Sequence, residues 1–400
     1  MQYKDCTIKL LGIQGVDVKN IEETEKGIYV YIETKPKMHC CPSCKNTTKN
    51  THDYRKQRIQ HLQINQMTTY LILNKRRYIC KHCGKKFYEN YSFIQRYFRK
   101  SNFVFYKIIH DLKQLKNFKT IAKDNNVSSP TVVRYLTYQT FLTGKNVVSN
   151  LPKHIGIDEF KGNCNGVKYQ FHIFDLDTHK TIDILESRKY DFLERYFSEI
   201  SNRSSVEIVS MDLYAPFKRI IKDKFSKSKI VADNFHFTRI AMQPLDDLRL
   251  ALWRNTKGKD KDYFKHLKHA LMTDIYKVSD KRRYKINERL SYAFELSPIL
   301  KAAYDLKQQF LNIKRCFSVE EKEVKFRKWL CDADYSTIKE FKSAVSTLRQ
   351  WHEYISNSFE TNFSNGPTEG KNNLIKTIKR ISFGYRNLQN FRNRILLIQL

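Results

Sequence analysis

The sequence predicts a multidomain chain: a small β-rich domain carrying cysteine pairs, an all-α helix-turn-helix domain, and an α/β domain interrupted by an all-α insertion. Three observations predict it. Two Cys-x2-Cys pairs, Cys41-Pro-Ser-Cys44 and Cys80-Lys-His-Cys83, stand 35 residues apart. The charge is segregated: the net +32 splits into zero over residues 1–40, +17 over 41–150, +2 over 151–240 and +13 over 241–400. Beyond residue 150 helical spacing gives way to strands, in the order β-β-β-α-β-α-β.

A hydrophobic content of 41% is ample for real cores in a chain of 400 residues. No apolar run approaches the roughly 18 residues that span a bilayer. The N-terminus, Met1-Gln-Tyr-Lys-Asp-Cys6, has an early acid and no apolar core of signal-peptide length. These features predict a soluble, cytoplasmic protein without a membrane partner. A basic first third beside a charge-balanced middle predicts an arm that binds a polyanion, nucleic acid first among them.

Residues 1–95 form the β-rich domain. Gly27-Ile-Tyr-Val-Tyr-Ile32 and Met67-Thr-Thr-Tyr-Leu-Ile-Leu73 are strand-like. Each Cys-x2-Cys turn lets two thiolates converge on one ion, so Cys41, Cys44, Cys80 and Cys83 predict a tetrahedral Zn²⁺ site. With all four positions filled by protein, that site is structural. His39 and Cys40 adjoin the first pair as competing ligands. Reduced buried cysteines or redox chemistry are the other readings of these pairs, and the matched spacing favours zinc.

Residues 96–145 read as helices. Ser101 to Leu115 has apolar residues at helical spacing. The run from Phe118 to Leu136 fits a helix-turn-helix: Ala122 is small where two helices meet, Asn125 and Asn126 tolerate a left-handed turn, and Ser129 caps a helix with Pro130 at its first position. Val132, Val133 and Leu136 then face the core, which leaves Thr131, Arg134 and Tyr135 for a DNA major groove. A plain helical hairpin is the competing reading. Its place inside the +17 segment of residues 41–150 favours double-stranded DNA as the partner.

Residues 151–240 hold the first part of the α/β domain. His154 to Phe160, Tyr169 to Leu176 and Thr181 to Leu185 are strands, and Tyr190 to Ile200 is an amphipathic helix. Val206 to Met211 is a strand ending on Asp212. A helix begins near Pro216, and a last strand, Lys229 to Ala232, ends on Asp233. This order matches the ribonuclease-H-like topology, in which the first and fourth strands are neighbours. Asp158 and Asp212 then meet at strand ends, where open α/β sheets bind ligands. The bland reading of strand-tip aspartates is helix N-capping. Residues 241–360 read as an all-α insertion and residues 361–400 as the C-terminal helices of the catalytic core. In that last segment Glu369, Asn373, Lys376 and Arg380 recur on one helical face, and seven bases but no acid follow Glu369.

Three carboxylates, Asp158, Asp212 and Glu369, suffice to hold hard divalent cations, Mg²⁺ or Mn²⁺, beside a phosphodiester. No glycine-rich phosphate loop is evident, so no nucleotide cofactor is expected. On these residues, together with Met211-Asp-Leu-Tyr214, Asp233-Asn-Phe-His236, Glu369-Gly-Lys-Asn-Asn373 and Lys379-Arg-Ile-Ser-Phe-Gly-Tyr-Arg-Asn387, the chain resembles the DDE transposases of bacterial insertion sequences, closest to the ISL-three family. The resemblance implies a catalytic triad of Asp158, Asp212 and Glu369, with Asp233 and His236 supporting it. It implies binding of the element's terminal inverted repeats and cleavage and joining of DNA. The basic residues Lys376, Lys379, Arg380 and Arg386 would touch DNA. Synapsis of two ends implies a homodimer or larger assembly, located in the bacterial cytoplasm and on the nucleoid when bound to DNA. A DNA-binding regulator without catalysis and a structure-specific nuclease are the alternatives.

Overall fold

The computed structural model describes residues 2–144, 148–361, 363 and 366–399, with backbone alone for 2–6 and 366–369. The chain divides into two compact units. One contains residues 1–146 with 378–384 and 389–400; the other contains 147–377 with 385–388.

The first unit opens with α1 (Gln2–Leu11), β1 (Val16–Thr24) and β2 (Gly27–Thr34), followed by the short pair β3 (His39–Cys40) and β4 (Thr47–Thr48). The long strands β5 (Thr51–Gln60) and β6 (Thr69–Ile79) follow, then β7 (Lys86–Tyr88). The main sheet has the order β1-β2-β6-β5, with β7 on β6. Alternating residues make its core: Val16 and Val18, Val30 and Ile32, Leu71 and Leu73 are all buried, because successive side chains of a strand point to opposite faces.

The two cysteine turns have the same build. Lys45 N–H donates to the Cys41 carbonyl and Gly84 N–H to the Cys80 carbonyl, and both donors are left-handed, with φ of 63° and 70°. The Cys41 and Cys83 Sγ atoms lie 3.6 Å apart and those of Cys44 and Cys80 3.5 Å apart. All four sulfurs lie within 4.8 Å of one another. A tetrahedral zinc with bonds of about 2.3 Å needs sulfurs roughly 3.8 Å apart, so the set fits. Charge supports the fit. The Cys44 amide draws Cys41 down to about 6, whereas at Cys83 the neighbouring thiols and burial outweigh the Lys85 amide and push it up to about 11. Four thiolates can share this volume only around a cation. His39 is committed elsewhere, 3.3 Å from Glu89, and Cys40 Sγ bonds the Lys45 carbonyl.

Three helices complete the segment: α2 (Asn102–Lys113), α3 (Phe118–Asp124) and α4 (Ser129–Leu142). Asn117 caps α3 by accepting from Thr120 N–H. Asn126 makes the left-handed turn between α3 and α4, with φ of 49°. Ser128, not Ser129, is the N-cap of α4. The α4 register corrects one expectation. Val132, Tyr135 and Leu136 form its buried stripe, so Tyr135 packs against Phe98 and Phe105 and is not free to enter a groove. Helical periodicity puts i, i+3 and i+4 on one face, and the large ring takes the core position that had been assigned to Val133, which is only half-buried.

The second unit contains β8 (His154–Phe160), β9 (Gln170–Asp175), β10 (Thr181–Leu185), α5 (Tyr190–Ser198), β11 (Ile208–Met211), α6 (Ala215–Lys224) and β12 (Lys229–Ala232). Its sheet has the order β10-β9-β8-β11-β12. β8 and β11 run parallel, as do β11 and β12, while β9 is antiparallel to β8 and β10. Gly156 is required here: a Cβ would come within 2.0 Å of the Phe174 ring. The helices α7 (Asn234–Asn255), α8 (Lys259–Lys265), α9 (Lys268–Met272), α10 (Asp280–Leu296), α11 (Pro298–Ile313), α12 (Val319–Tyr335), α13 (Lys339–Gln350) and α14 (His352–Glu360) follow. They share one core with the sheet, in which Trp329 is 1% exposed and donates to the Leu306 carbonyl at 2.8 Å.

The chain ends in α15 (Gly366–Ile381) and α16 (Leu388–Ile398). Of the residues expected to complete the catalytic core, 361–377 and 385–388 cluster with the second unit and 378–384 and 389–400 with the first. Arg394, fully buried, donates to the carbonyls of Gln114 and Lys116, and Leu397 joins the core of α2 to α4. Among the described residues, no helix is long and apolar enough to cross a membrane.

If the cysteine cluster holds the first unit together, Cys44→Ser should lower bound zinc from about one ion per chain toward zero and melt the β-rich segment. Metal analysis with circular dichroism checks this. Full zinc content in the variant would remove Cys44 from the ligand set.

Candidate active site

Three acidic residues stand at one end of the parallel strands. Register explains their company. Ser210 pairs with Gly156, so Asp212 and Asp158 each lie two residues further along. Met211 pairs with Ala232, so Asp212 and Asp233 each lie one residue further. Asp158, Asp212 and Asp233 therefore occupy the same level on adjacent strands. The β-branched residues Ile208, Val209, Ile230 and Val231 build those strands, and the chain turns into α6 and α7 directly after them.

The side chains converge. His236 Nε2 lies 3.2 Å from Asp212 Oδ2 and 3.9 Å from Asp233 Oδ2. Asp212, Asp233 and His236 can offer ligand atoms within 4.8 Å of one another. Asp158 Oδ1 accepts from the Glu159 amide at 2.6 Å, and Asp158 Oδ2 accepts from Asn372 Nδ2 at 2.5 Å. Asn372 comes from α15, three residues beyond Glu369. The side chain of Glu369 lies outside the described residues. Asn372 was missed in the sequence; its signal was its place one residue before Asn373, which is exposed.

The electrostatics are unfavourable without a cation. Burial, then Asp158, Asp233 and Glu159, push Asp212 up to about 8. Burial also raises Asp158, against the pull of the Glu159 amide and Asn372. His172, opposite Asp158 in the β8–β9 ladder, is taken down to about 4 by burial and stays neutral near pH 7. It adds no positive charge to offset the acids. Asp212 Oδ1 is buried without a hydrogen-bond partner among the described residues. Crowded carboxylates with an unsatisfied oxygen could hold a hard divalent cation. Glu159 itself pairs with Arg188, which stacks on Tyr169 and Tyr214 at 4.4 and 5.1 Å.

The other expected contacts differ in exposure. Arg134, Lys376, Arg380 and Arg386 are exposed, Thr131 and Lys379 are half-buried, and Tyr135 is in the core. Thr131 Oγ1 lies 3.0 Å from Ser128 Oγ.

Asp212 holds its proton more tightly folded than unfolded. The stability that this proton confers is complete below about pH 4 and is lost as pH rises toward about 8. In magnesium-free, zinc-loaded protein, Asp212→Asn should therefore melt higher than wild type at about pH 8, and the gap should shrink toward about pH 5. Added Mg²⁺ should close the gap by raising the wild type. Thermal scans at the two pH values check this; a variant that melts no higher at the upper pH contradicts it.

Comparison with known proteins agrees with this layout. Residues 155–395 match a transposase family model, the ISL3-type DDE transposases, and residues 27–83 match the zinc finger of the transposases of IS204, IS1001, IS1096 and IS1165. The transposase for insertion sequence element IS1001 of Bordetella parapertussis is 20% identical over 389 residues, 95% of this chain and 94% of that protein. The transposase for IS1557 of Mycobacterium tuberculosis is 22% identical over 261 residues, 59% of this chain and 58% of that one. A Lactococcus lactis protein named ATP-dependent protease is 29% identical over 140 residues, 35% of this chain and 39% of its own length. With its central and C-terminal regions matched across 155–395 and a zinc ribbon ahead of them, the chain belongs to the ISL3 family of DDE transposases.

Proposed function

We propose that the protein binds the terminal inverted repeats of an insertion sequence and cuts and joins DNA strands at the acid cluster. The observation that carries this reading is the levelling of Asp158, Asp212 and Asp233 on adjacent strand ends, with α15 tied to Asp158 through Asn372. On this reading the second unit's sheet is ribonuclease-H-like, consistent with its order β10-β9-β8-β11-β12. Asp158, Asp212 and Glu369 are the triad, and they hold Mg²⁺ or Mn²⁺. Such ions, when bound, activate the attacking oxygen and stabilise the leaving one.

The remaining roles belong to the chain itself. The Glu159 amide and Asn372 orient the two oxygens of Asp158 so that the carboxylate presents a fixed edge. His236, against Asp212 and Asp233, keeps those acids together and can donate to a phosphate oxygen. Helices α3 and α4 read the DNA ends through Thr131 and Arg134, and the zinc knuckles hold the sheet beside them. Pairing two element ends requires a homodimer or larger assembly.

The test uses purified full-length protein, a plasmid carrying the element ends, and Mg²⁺. Asp158→Ala, Asp212→Ala and Glu369→Ala should each reduce cutting and joining by about 10³-fold or more, because each removes a ligand of the metal centre. Asn372→Ala should cost less, about 10-fold, because it orients a ligand. Wild-type rates in the Asp212 and Glu369 variants would refute the triad.

A further inference from the structure

The first unit carries a second feature that the helix-turn-helix and the acid cluster do not use. A groove of about 1590 Å³ runs between β5, β6, β7 and residues 90–100. It exceeds the roughly 300–1,000 Å³ of small-molecule pockets. Among the described residues lining it, nine are lysine or arginine and one, Glu89, is acidic. Glu89 is already engaged: it is 5% exposed, accepts from the Thr34 hydroxyl and faces His39. Arg77 pairs with Asp53 at 3.4 Å, and among the described residues no ion pair engages the other eight bases.

Aromatic faces hold three of them. Arg58 lies 5.0 Å over Tyr70, Lys75 lies 4.5 Å over Tyr88, and Arg96 lies 4.9 Å over Tyr97. A ring face positions a cation without neutralising it, which leaves its charge available to an incoming anion. Tyr97 is 85% exposed. Burial, and then neighbouring Arg96, lowers Lys75, and burial, and then Arg134, lowers Lys100.

The groove is tied to the reading helix. Lys100 donates to Gln60 Oε1 at 2.8 Å, and Gln60 Nε2 donates to the carbonyls of Asn125 and Asn126 at 3.0 and 3.1 Å. Those asparagines form the turn before α4. The groove wall and the recognition helix are thus one rigid piece.

We propose that this groove binds the sugar-phosphate backbone of double-stranded DNA, as a sequence-independent clamp continuous with the surface read by α4. The proposal rests on the reading of the protein as a DNA-end-binding transposase and assigns residues to a contact that reading leaves open. Arg58, Lys75 and Arg96 meet phosphates, and Tyr97 packs against sugar or base edge at the rim.

The experiment measures binding of full-length, zinc-loaded protein to fluorescent duplexes by anisotropy, without Mg²⁺, from about 50 to 200 mM salt. One duplex carries the element's terminal repeat and one a scrambled sequence. Each lost phosphate contact lowers the slope of log K against log salt by about 0.9, so Arg58→Gln with Arg96→Gln should lower it by about 2 on both duplexes. Tyr97→Ala should weaken binding a few-fold at unchanged slope. Arg134→Ala should reduce discrimination between the duplexes. Should the first variant lose zinc, Lys56→Gln with Arg99→Gln replaces it. An unchanged slope in a zinc-loaded double variant overturns the groove while leaving the transposase reading intact. A wild-type protein that binds neither duplex overturns both. Equal binding of a duplex RNA, with the same sensitivity to the variants, overturns the assignment to DNA.

Discussion

The parallel pairing of β8 with β11 is the constraint on which the rest depends. Strand β8 starts the second unit, and 47 residues separate its end from the start of β11, yet the two are neighbours at the centre of the sheet. Their register brings Asp158 level with Asp212, and β12 adds Asp233 at the same level. A slip of one residue would turn every side chain of a strand to the opposite face and scatter the acids. Gly156 secures the ladder on the other side of β8, since only a residue without a Cβ leaves room for Phe174 opposite it on β9.

Bringing acids together in a buried place costs free energy, and the structure stores the cost in Asp158 and Asp212, both of which hold protons above the ordinary carboxylate range. The cysteine cluster faces the same difficulty with thiolates. In each, a divalent cation would resolve the crowding, by closing a fold in one and by completing a site in the other. The two sets differ in donor hardness: four sulfurs suit zinc, whereas oxygens with one imidazole suit magnesium or manganese.

Much of this was legible in the chain. The cysteine spacing needs no long-range information, because each knuckle is a local turn. The strands ending on Asp212 and Asp233 stand out because β-branched runs stop at a lone carboxylate before a helix. Contacts set by helical register were harder to read. Tyr135 took the core place expected of Val133, since both are apolar enough and stand only two residues apart on α4. Asn372, not Asn373, reaches Asp158, and a one-residue shift on a helix rotates a side chain by about 100°. The split of the C-terminal helices turns on charge taken into the interior, which residue type alone does not signal: Arg392 and Arg394 are buried, and Arg394 binds the backbone carbonyls of Gln114 and Lys116.

On this reading the strand-tip acids form a divalent-cation site. Titration of magnesium-free, zinc-loaded protein with Mn²⁺, followed by the paramagnetic resonance of the free ion, tests it without any DNA. Saturable binding of about one or two ions per chain is expected, weakened by an order of magnitude or more in Asp158→Asn with Asp212→Asn. Manganese binding undiminished in that folded double variant would contradict it.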